Sequence, residues 1–275
     1  TRNAKGKIRD KDGGETEYSA SVTVTNQNPT VTITSPPYGS LYTMGSTVNV
    51  AASFGDVGTG DTHTCKISWD NGLGETNGSV TETNGSGTCT DSRQLANPGV
   101  YTIRVTVTDD DGGSGFDETL VVVYDPNVGH VTGGGWINSP AGAYRPEPSL
   151  TGRANFGFNA KYLKGARTPS GSTEFQFHAG NLNFHSSNYE WLVVSGAKGQ
   201  FKGAGTINGS GNYGFLLTVT DGQLAGGGGT DRFRMKIWDR SSDTTVYDNA
   251  SGSDDIDSSN TQEIAGGSIV IHKGK

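Results

Sequence analysis

Apolar residues along this chain recur with a period of two. In the segment 101–108, Tyr101, Ile103, Val105 and Val107 alternate with Thr102, Arg104, Thr106 and Thr108, the mark of a strand with one buried and one wet face. Similar stretches occupy 31–33, 48–52, 64–69 and 119–124, separated by the turn-forming runs Pro36-Pro37, Asp70-Asn71-Gly72 and Asn97-Pro98-Gly99. Farther on, Phe156, Phe158, Ala160 and Tyr162 share one face, as do Phe175 and Phe177, Tyr213, Phe215 and Leu217, and Phe233, Met235 and Ile237. Glycine runs at 133–135, 203–205 and 226–229 punctuate these segments, and no window sustains a helical period of 3.6. The pattern predicts an all-β chain of short strands.

The strands fall into a repeat. Residues 8–14 line up with 107–113 and residues 20–24 with 119–123, at an offset of 99 residues. Residues 1–25 therefore read as the C-terminal strands of a preceding copy and 26–124 as one complete copy. A period of about 100 residues is the size of an immunoglobulin-like sandwich. Residues 125–275 differ, holding three of the four tryptophans and eight of the ten phenylalanines. A second, larger, jelly-roll-like sandwich is the simplest packing that buries so many rings.

Composition narrows the function. An apolar fraction of 31% with 43 glycines in 275 residues is poor material for long helices, and no apolar run approaches the roughly 20 residues of a membrane span. Segment 26–124 carries three basic residues against eleven acidic ones, a net of −8, while 125–275 is balanced. No segment has the basic surface that nucleic acid demands. Cys65 and Cys89, the only cysteines, lie in strand-like stretches without a metal-type spacing; a disulfide is expected, with two buried free thiols as the alternative. The polar first twelve residues are no signal peptide, so the chain reads as a mature or excised piece.

Three ordered motifs carry a resemblance: Phe54-Gly55-Asp56-Val57-Gly58-Thr59-Gly60-Asp61-Thr62-His63-Thr64, then Ile67-Ser68-Trp69-Asp70-Asn71-Gly72, then the segment from Pro98-Gly99-Val100-Tyr101 to Asp109. Segment 26–124 thereby resembles the polycystic-kidney-disease (PKD) type of immunoglobulin-like domain. The family's acidic turn after the tryptophan is altered here to Asp70-Asn71-Gly72-Leu73-Gly74. The resemblance implies an extracellular, often tandem spacer or adhesion unit, sometimes with bound calcium. Segment 125–275, from Gly129-His130-Val131 through Phe233 to Trp238-Asp239 and Gly266 to His272, resembles a C-terminal module found after PKD-like repeats in large bacterial secreted proteins.

Candidate chemistry is sparse. Asp109 and Asp111 before Gly112-Gly113, with Asp56 and Asp61 from the opposite loop, offer hard oxygens for calcium; Asp221 and Asp231, with Asp239 and the run Asp254-Asp255-Ile256-Asp257, offer a second set. The plainer reading is that Asp and Gly make good turns. Gly209 to Gly214 fits GxGxxG but leads into a strand pattern, so a hairpin turn replaces the dinucleotide reading. No GxSxG elbow occurs. Trp136, Trp191, Tyr144 and Tyr189 are the aromatics available to stack on a sugar, against the alternative that they fill the core. The expectation is a non-enzymatic structural or adhesive module, extracellular or on a cell surface, that meets copies of itself or neighbouring repeats and assembles into a fibre through its N-terminal strands. The alternative is a carbohydrate-binding accessory module of a secreted hydrolase, with polysaccharide as partner. Neither reading involves nucleic acid or membrane insertion.

Overall fold

The computed structural model describes residues 2–23, 25–70, 72–127 and 129–272. Val24 and Asn71, which carry part of the repeat and of the turn motif, lie outside them. The described residues are almost entirely strand; the one helical element among them is a 3-10 turn at His178–Gly180.

The chain opens with a two-stranded hairpin, β1 (Arg2–Arg9) and β2 (Glu15–Val22). A sandwich follows, built from β3 (Thr30–Ser35), β4 (Ser40–Thr43), β5 (Thr47–Gly55), β6 (His63–Ser68), β7 (Glu75–Asn77), β8 (Ser79–Thr83), β9 (Ser86–Gln94), β10 (Gly99–Asp109) and β11 (Ser114–Tyr124). One sheet has the order β3-β5-β9-β8 and the other β4-β11-β10-β6-β7, with β4 parallel to β11. Alternation puts Val48, Ile67, Ile103, Val105, Val107, Val121 and Val123 between the sheets, all fully buried. Cys65 of β6 and Cys89 of β9 form the disulfide and tie the two sheets together. Trp69 is fully buried, its indole N–H donating to Thr76 Oγ1 at 2.6 Å. The Tyr101 hydroxyl donates to the Asn97 carbonyl at 2.8 Å, a tyrosine corner that fixes the entry into β10. These are the traits of an immunoglobulin-like sandwich.

The rest of the chain supplies β12 (His130–Ser139), β13 (Gly152–Lys161), β14 (Ser170–Phe177), β15 (Leu182–Ser195), β16 (Lys198–Ile207), β17 (Ser210–Thr220), β18 (Arg232–Asp239), β19 (Thr245–Asp248), β20 (Gln262–Glu263) and β21 (Gly266–His272). All ten belong to one sheet, in which β12 to β19 follow one another in order, β20 adds to β18 and β21 returns beside β12. The all-β class is as expected, but the connectivity is a meander folded over on itself, with no jelly-roll crossing between two sheets. Tight turns such as Asn208-Gly209, with φ of 51° and 78°, bring each strand back beside its predecessor. The curl is visible in the core: Phe156 of β13 stacks on Phe233 of β18 at 4.1 Å although four strands separate them in the sheet. Where the sheet meets itself, the outer edge of β21 is capped by side chains. The Ile269 amide donates to Asp231 Oδ2 at 2.7 Å and the Ile271 amide to Asp221 Oδ2 at 2.9 Å, so two carboxylates stand in for a neighbouring strand.

Two glycine runs that read as breaks lie inside strands. A Cβ on Gly133 would sit 2.3 Å from the Phe158 ring and one on Gly203 2.7 Å from Phe215, so these glycines make room for aromatic rings across the strand pair. The two units share apolar packing. Val100, Val122 and Tyr124 belong to the core of the C-terminal unit, with Tyr124 stacked on Tyr162 at 5.1 Å.

Candidate ligand cleft

The junction between the units leaves a cleft of about 440 Å³. Its floor is the outer face of β16–β18 with Trp191, and its opposite wall is Tyr38, Gly39, Val100 and Leu120 of the sandwich. The alternation that sends Phe233, Met235 and Ile237 inward turns Lys236 and Trp238 outward. Gly214 faces Trp238 across the strand pair, and a Cβ there would lie 2.3 Å from the indole, so the ring lies against bare backbone. The ammonium groups of Lys202 and Lys236 stand 5.6 and 5.9 Å from the Trp238 ring centre.

The polar groups of the cleft are held from behind. Arg234, 1% exposed, grips Asp248 with two hydrogen bonds of 3.0 and 2.9 Å and reaches Asp254 Oδ1 at 3.0 Å. Burial disfavours its charge, but Asp248 and Asp254 outweigh that and raise its pKa. Asp254 Oδ2 accepts from Lys236 Nζ at 2.6 Å, and its backbone carbonyl accepts from Gln200 at 2.9 Å. The segment 254–257 thus clasps the outer sheet face, and Ile256 is fully buried in the core. Its neighbour Asp255 meets Asp70 of the sandwich. Burial pushes the Asp255 carboxyl up to about 6, against the hydrogen bond from the Asp257 amide, and the Asp70 carboxylate adds to the rise. On the far side Glu190 pairs with Arg240 at 3.2 Å and Lys202 at 3.7 Å.

Of the four aromatics singled out in the sequence, one reaches this cleft, Trp191. Trp136 is half-buried elsewhere on β12 under the Arg153 guanidinium at 4.6 Å. Tyr144 packs edge-on against Phe177 at 5.9 Å. Tyr189 is a core residue; its hydroxyl bonds Thr173 Oγ1 at 2.7 Å and donates to the Asn159 carbonyl at 2.9 Å, and burial pushes its pKa up to about 12. Sequence reasoning assigned no site role to Tyr38, Trp238, Lys202, Lys236 or Asp243, and Asp254 stood only among the acidic residues of the second candidate cation set. The opposite phase of Trp238 to Phe233, Met235 and Ile237 was the signal that points to it.

The candidate calcium ligands are placed as follows. Asp56 Oδ1 accepts from the Gly58 amide at 2.7 Å, and its other oxygen faces His63 Nε2 at 3.3 Å. His63, buried, also bonds Glu82 at 2.7 Å; burial opposes its charge, yet the two carboxylates prevail and raise its pKa. Asp109 accepts from Asn26 and from the Gly113 amide, both at 2.8 Å, which holds its carboxyl low. Asp61 is raised by desolvation and by Asp110, Asp111, Asp56 and Asp109 around it, and Asp111 is exposed. Asp221 and Asp231 cap β21 and their own loop. Among the described residues no three His, Cys, Asp or Glu side chains converge as a metal-binding set.

No family model and no curated protein matches the chain. Among solved structures it is similar to the fibronectin(III)-like modules of Clostridium thermocellum CbhA, at 15% identity over 79% of this chain and 90% of that one, with a TM-score of 0.27. It is also similar to the sialic acid binding region of the Streptococcus sanguinis SK1 adhesin, at 13% identity over 82% of this chain and 76% of that one, with a TM-score of 0.25. At such scores the likeness is slight, and the fold and the cleft stand on their own residues.

Proposed function

We propose that the chain is a non-enzymatic structural and adhesive module of an extracellular, bacterial surface or secreted protein, and that its cleft holds a glycan. The observation that carries the reading is the cleft itself: an indole flanked by two ammonium groups, in a recess beside the junction where Val100, Val122 and Tyr124 of the sandwich pack into the core of the C-terminal unit. Pyranose rings offer an apolar C–H face to an aromatic ring and hydroxyls to surrounding donors and acceptors. Lys202 and Lys236 supply donors, Asp243 and Asp254 acceptors, and their charges balance, so a neutral sugar enters without an unpaired charge. The volume lies within the roughly 300–1,000 Å³ of small-molecule sites, which favour domain junctions. The disulfide supports an oxidising, extracellular setting, and the resemblance of 125–275 to a C-terminal module of large bacterial secreted proteins supports the bacterial context.

The test is binding to an array of neutral and acidic oligosaccharides, repeated with Trp238→Ala and, as a control away from the cleft, Trp136→Ala. Binding to a neutral glycan that Trp238→Ala weakens tenfold or more, and Trp136→Ala leaves unchanged, is the expected result. A blank array, or binding indifferent to Trp238, counts against the glycan.

A further inference from the structure

The β1–β2 hairpin repeats the turn and the turn-proximal register of β10–β11. Its eight cross-strand pairs, from Arg2↔Val22 to Arg9↔Glu15, coincide at the 99-residue offset with those from Tyr101↔Val121 to Thr108↔Ser114. The turns match as well. The Asp10 amide donates to the Gly14 carbonyl at 2.9 Å, and Asp10 Oδ1 accepts from the Gly14 amide at 2.8 Å; the corresponding bonds of Asp109 and Gly113 are 3.0 and 2.8 Å. Gly13 and Gly112 take φ of 91° and 92°.

The hairpin is two-faced. Asn3, Lys5, Lys7, Arg9, Glu15, Glu17, Ser19 and Ser21 share one side, where Lys5–Glu17 and Lys7–Glu15 pair at 2.8 and 2.6 Å. The other side carries Ala4, Gly6, Ile8, Thr16, Tyr18, Ala20 and Val22, and there Ile8, Tyr18 and Val22 are 65%, 59% and 51% exposed. Each such side chain forgoes the gain of burial by staying in water, and a lone hairpin is marginal without a covered face.

The molecule itself shows what covers such a hairpin. The free edge of β10 takes β6 antiparallel, the free edge of β11 takes β4 parallel, and the apolar face packs on the sheet β3-β5-β9-β8. We propose that the bare face of β1–β2 is the last piece of an immunoglobulin-like sandwich whose remaining strands, a further copy of β3–β9, are carried ahead of Thr1 in the same polypeptide. A second molecule of this chain is the wrong partner. Its β3–β9 set already holds β10–β11, and there Ile103, Val105 and Val107, all fully buried, stand where the hairpin has Ala4, Gly6 and Ile8. Trading the buried Ile103 and Val105 for Ala4 and Gly6 would leave cavities in the sandwich core, so the resident hairpin stays. The proposal goes beyond the glycan reading and does not depend on it.

The experiment compares two chains: the 275-residue chain, and the same chain with a copy of residues 26–99 placed directly before Thr1, which restores the 99-residue spacing. Trypsin is expected to cut the first rapidly between Lys5 and Lys11, and light scattering to give a monomer at all concentrations. In the extended chain those sites are expected to be protected a hundredfold or more, the added cysteine pair to form its own disulfide, and Ile8→Lys to restore cleavage. An extended chain cut as fast as the original overturns the proposal. So does an original chain whose mass rises with concentration and falls back with Ile8→Lys, because the second copy is then the occupant.

Discussion

The hairpins β1–β2 and β10–β11 share a turn, a register and an alternation, yet one is bare and the other has its inner face buried and one end of its outer face covered. The alternation sets which face turns toward a partner; whether the face is buried depends on the strands that happen to lie across it. A second difference sits on the outward positions. Val100, Leu120, Val122 and Tyr124 pack against the C-terminal unit, whereas the equivalent positions of the first hairpin hold Thr1, Ser21, Thr23 and Thr25. The sandwich is therefore built to weld onto the unit behind it, and the β1–β2 hairpin carries no such apolar patch at those positions.

The comparison breaks most visibly by a charge on the inner face. Val105→Asp places an unpaired carboxylate in the sandwich core and is expected to cost roughly 4 kcal/mol or more, unfolding that unit. The matching Gly6→Asp is expected to change stability by less than about 0.5 kcal/mol, since its face is already wet. Thermal melts of the two variants decide it. Next in size is the disulfide: Cys65→Ala with Cys89→Ala releases a closure of 24 residues and is expected to cost about 3 kcal/mol in denaturant melts. Third, Val122→Thr with Tyr124→Thr makes the second junction like the first. A loss of about 2–4 kcal/mol is expected, with one coupled calorimetric transition splitting into two.

Smaller effects come from titration. The folded-state pKa of Asp255, about 6, lies above its ordinary 3.8, so the proton favours the folded junction. This group's contribution to stability is expected to be fullest below about pH 4 and to be lost as pH rises through about 6, a fall of about 1 kcal/mol once partial solvent exposure is discounted. Asp255→Asn is expected to flatten that slope in melts between pH 3.5 and 7. His63 acts in the next window: its raised pKa stabilises the sandwich below 6.5, and that contribution is lost as pH climbs through the raised value, a step His63→Gln is expected to remove. Calcium comes last. Asp109, Asp221 and Asp231 already accept backbone or amide hydrogens, so added calcium is expected to shift the melting midpoint little.

Much of this was legible in the chain. Period-two alternation located β3, β5, β6, β10 and β11, and the 99-residue offset pointed to the paired hairpins. Strand β9 was legible only around Cys89, because Ser86 to Gln94 is nearly all polar and its burial rests on that residue. The meander escaped as well, since strand order depends on long-range stacking such as Phe156 on Phe233. The cleft was half legible: Trp191 was in view, but Lys202, Asp254 and Tyr38 come together only through contacts between distant segments.

The most direct measurement is native-state hydrogen exchange resolved to single amides on the 275-residue chain. The amides of β10 and β11 are expected to exchange only through unfolding of their whole unit, and those of β1 and β2 at rates close to an unprotected peptide. Slow exchange in both hairpins would contradict the account, because the first would then be covered already.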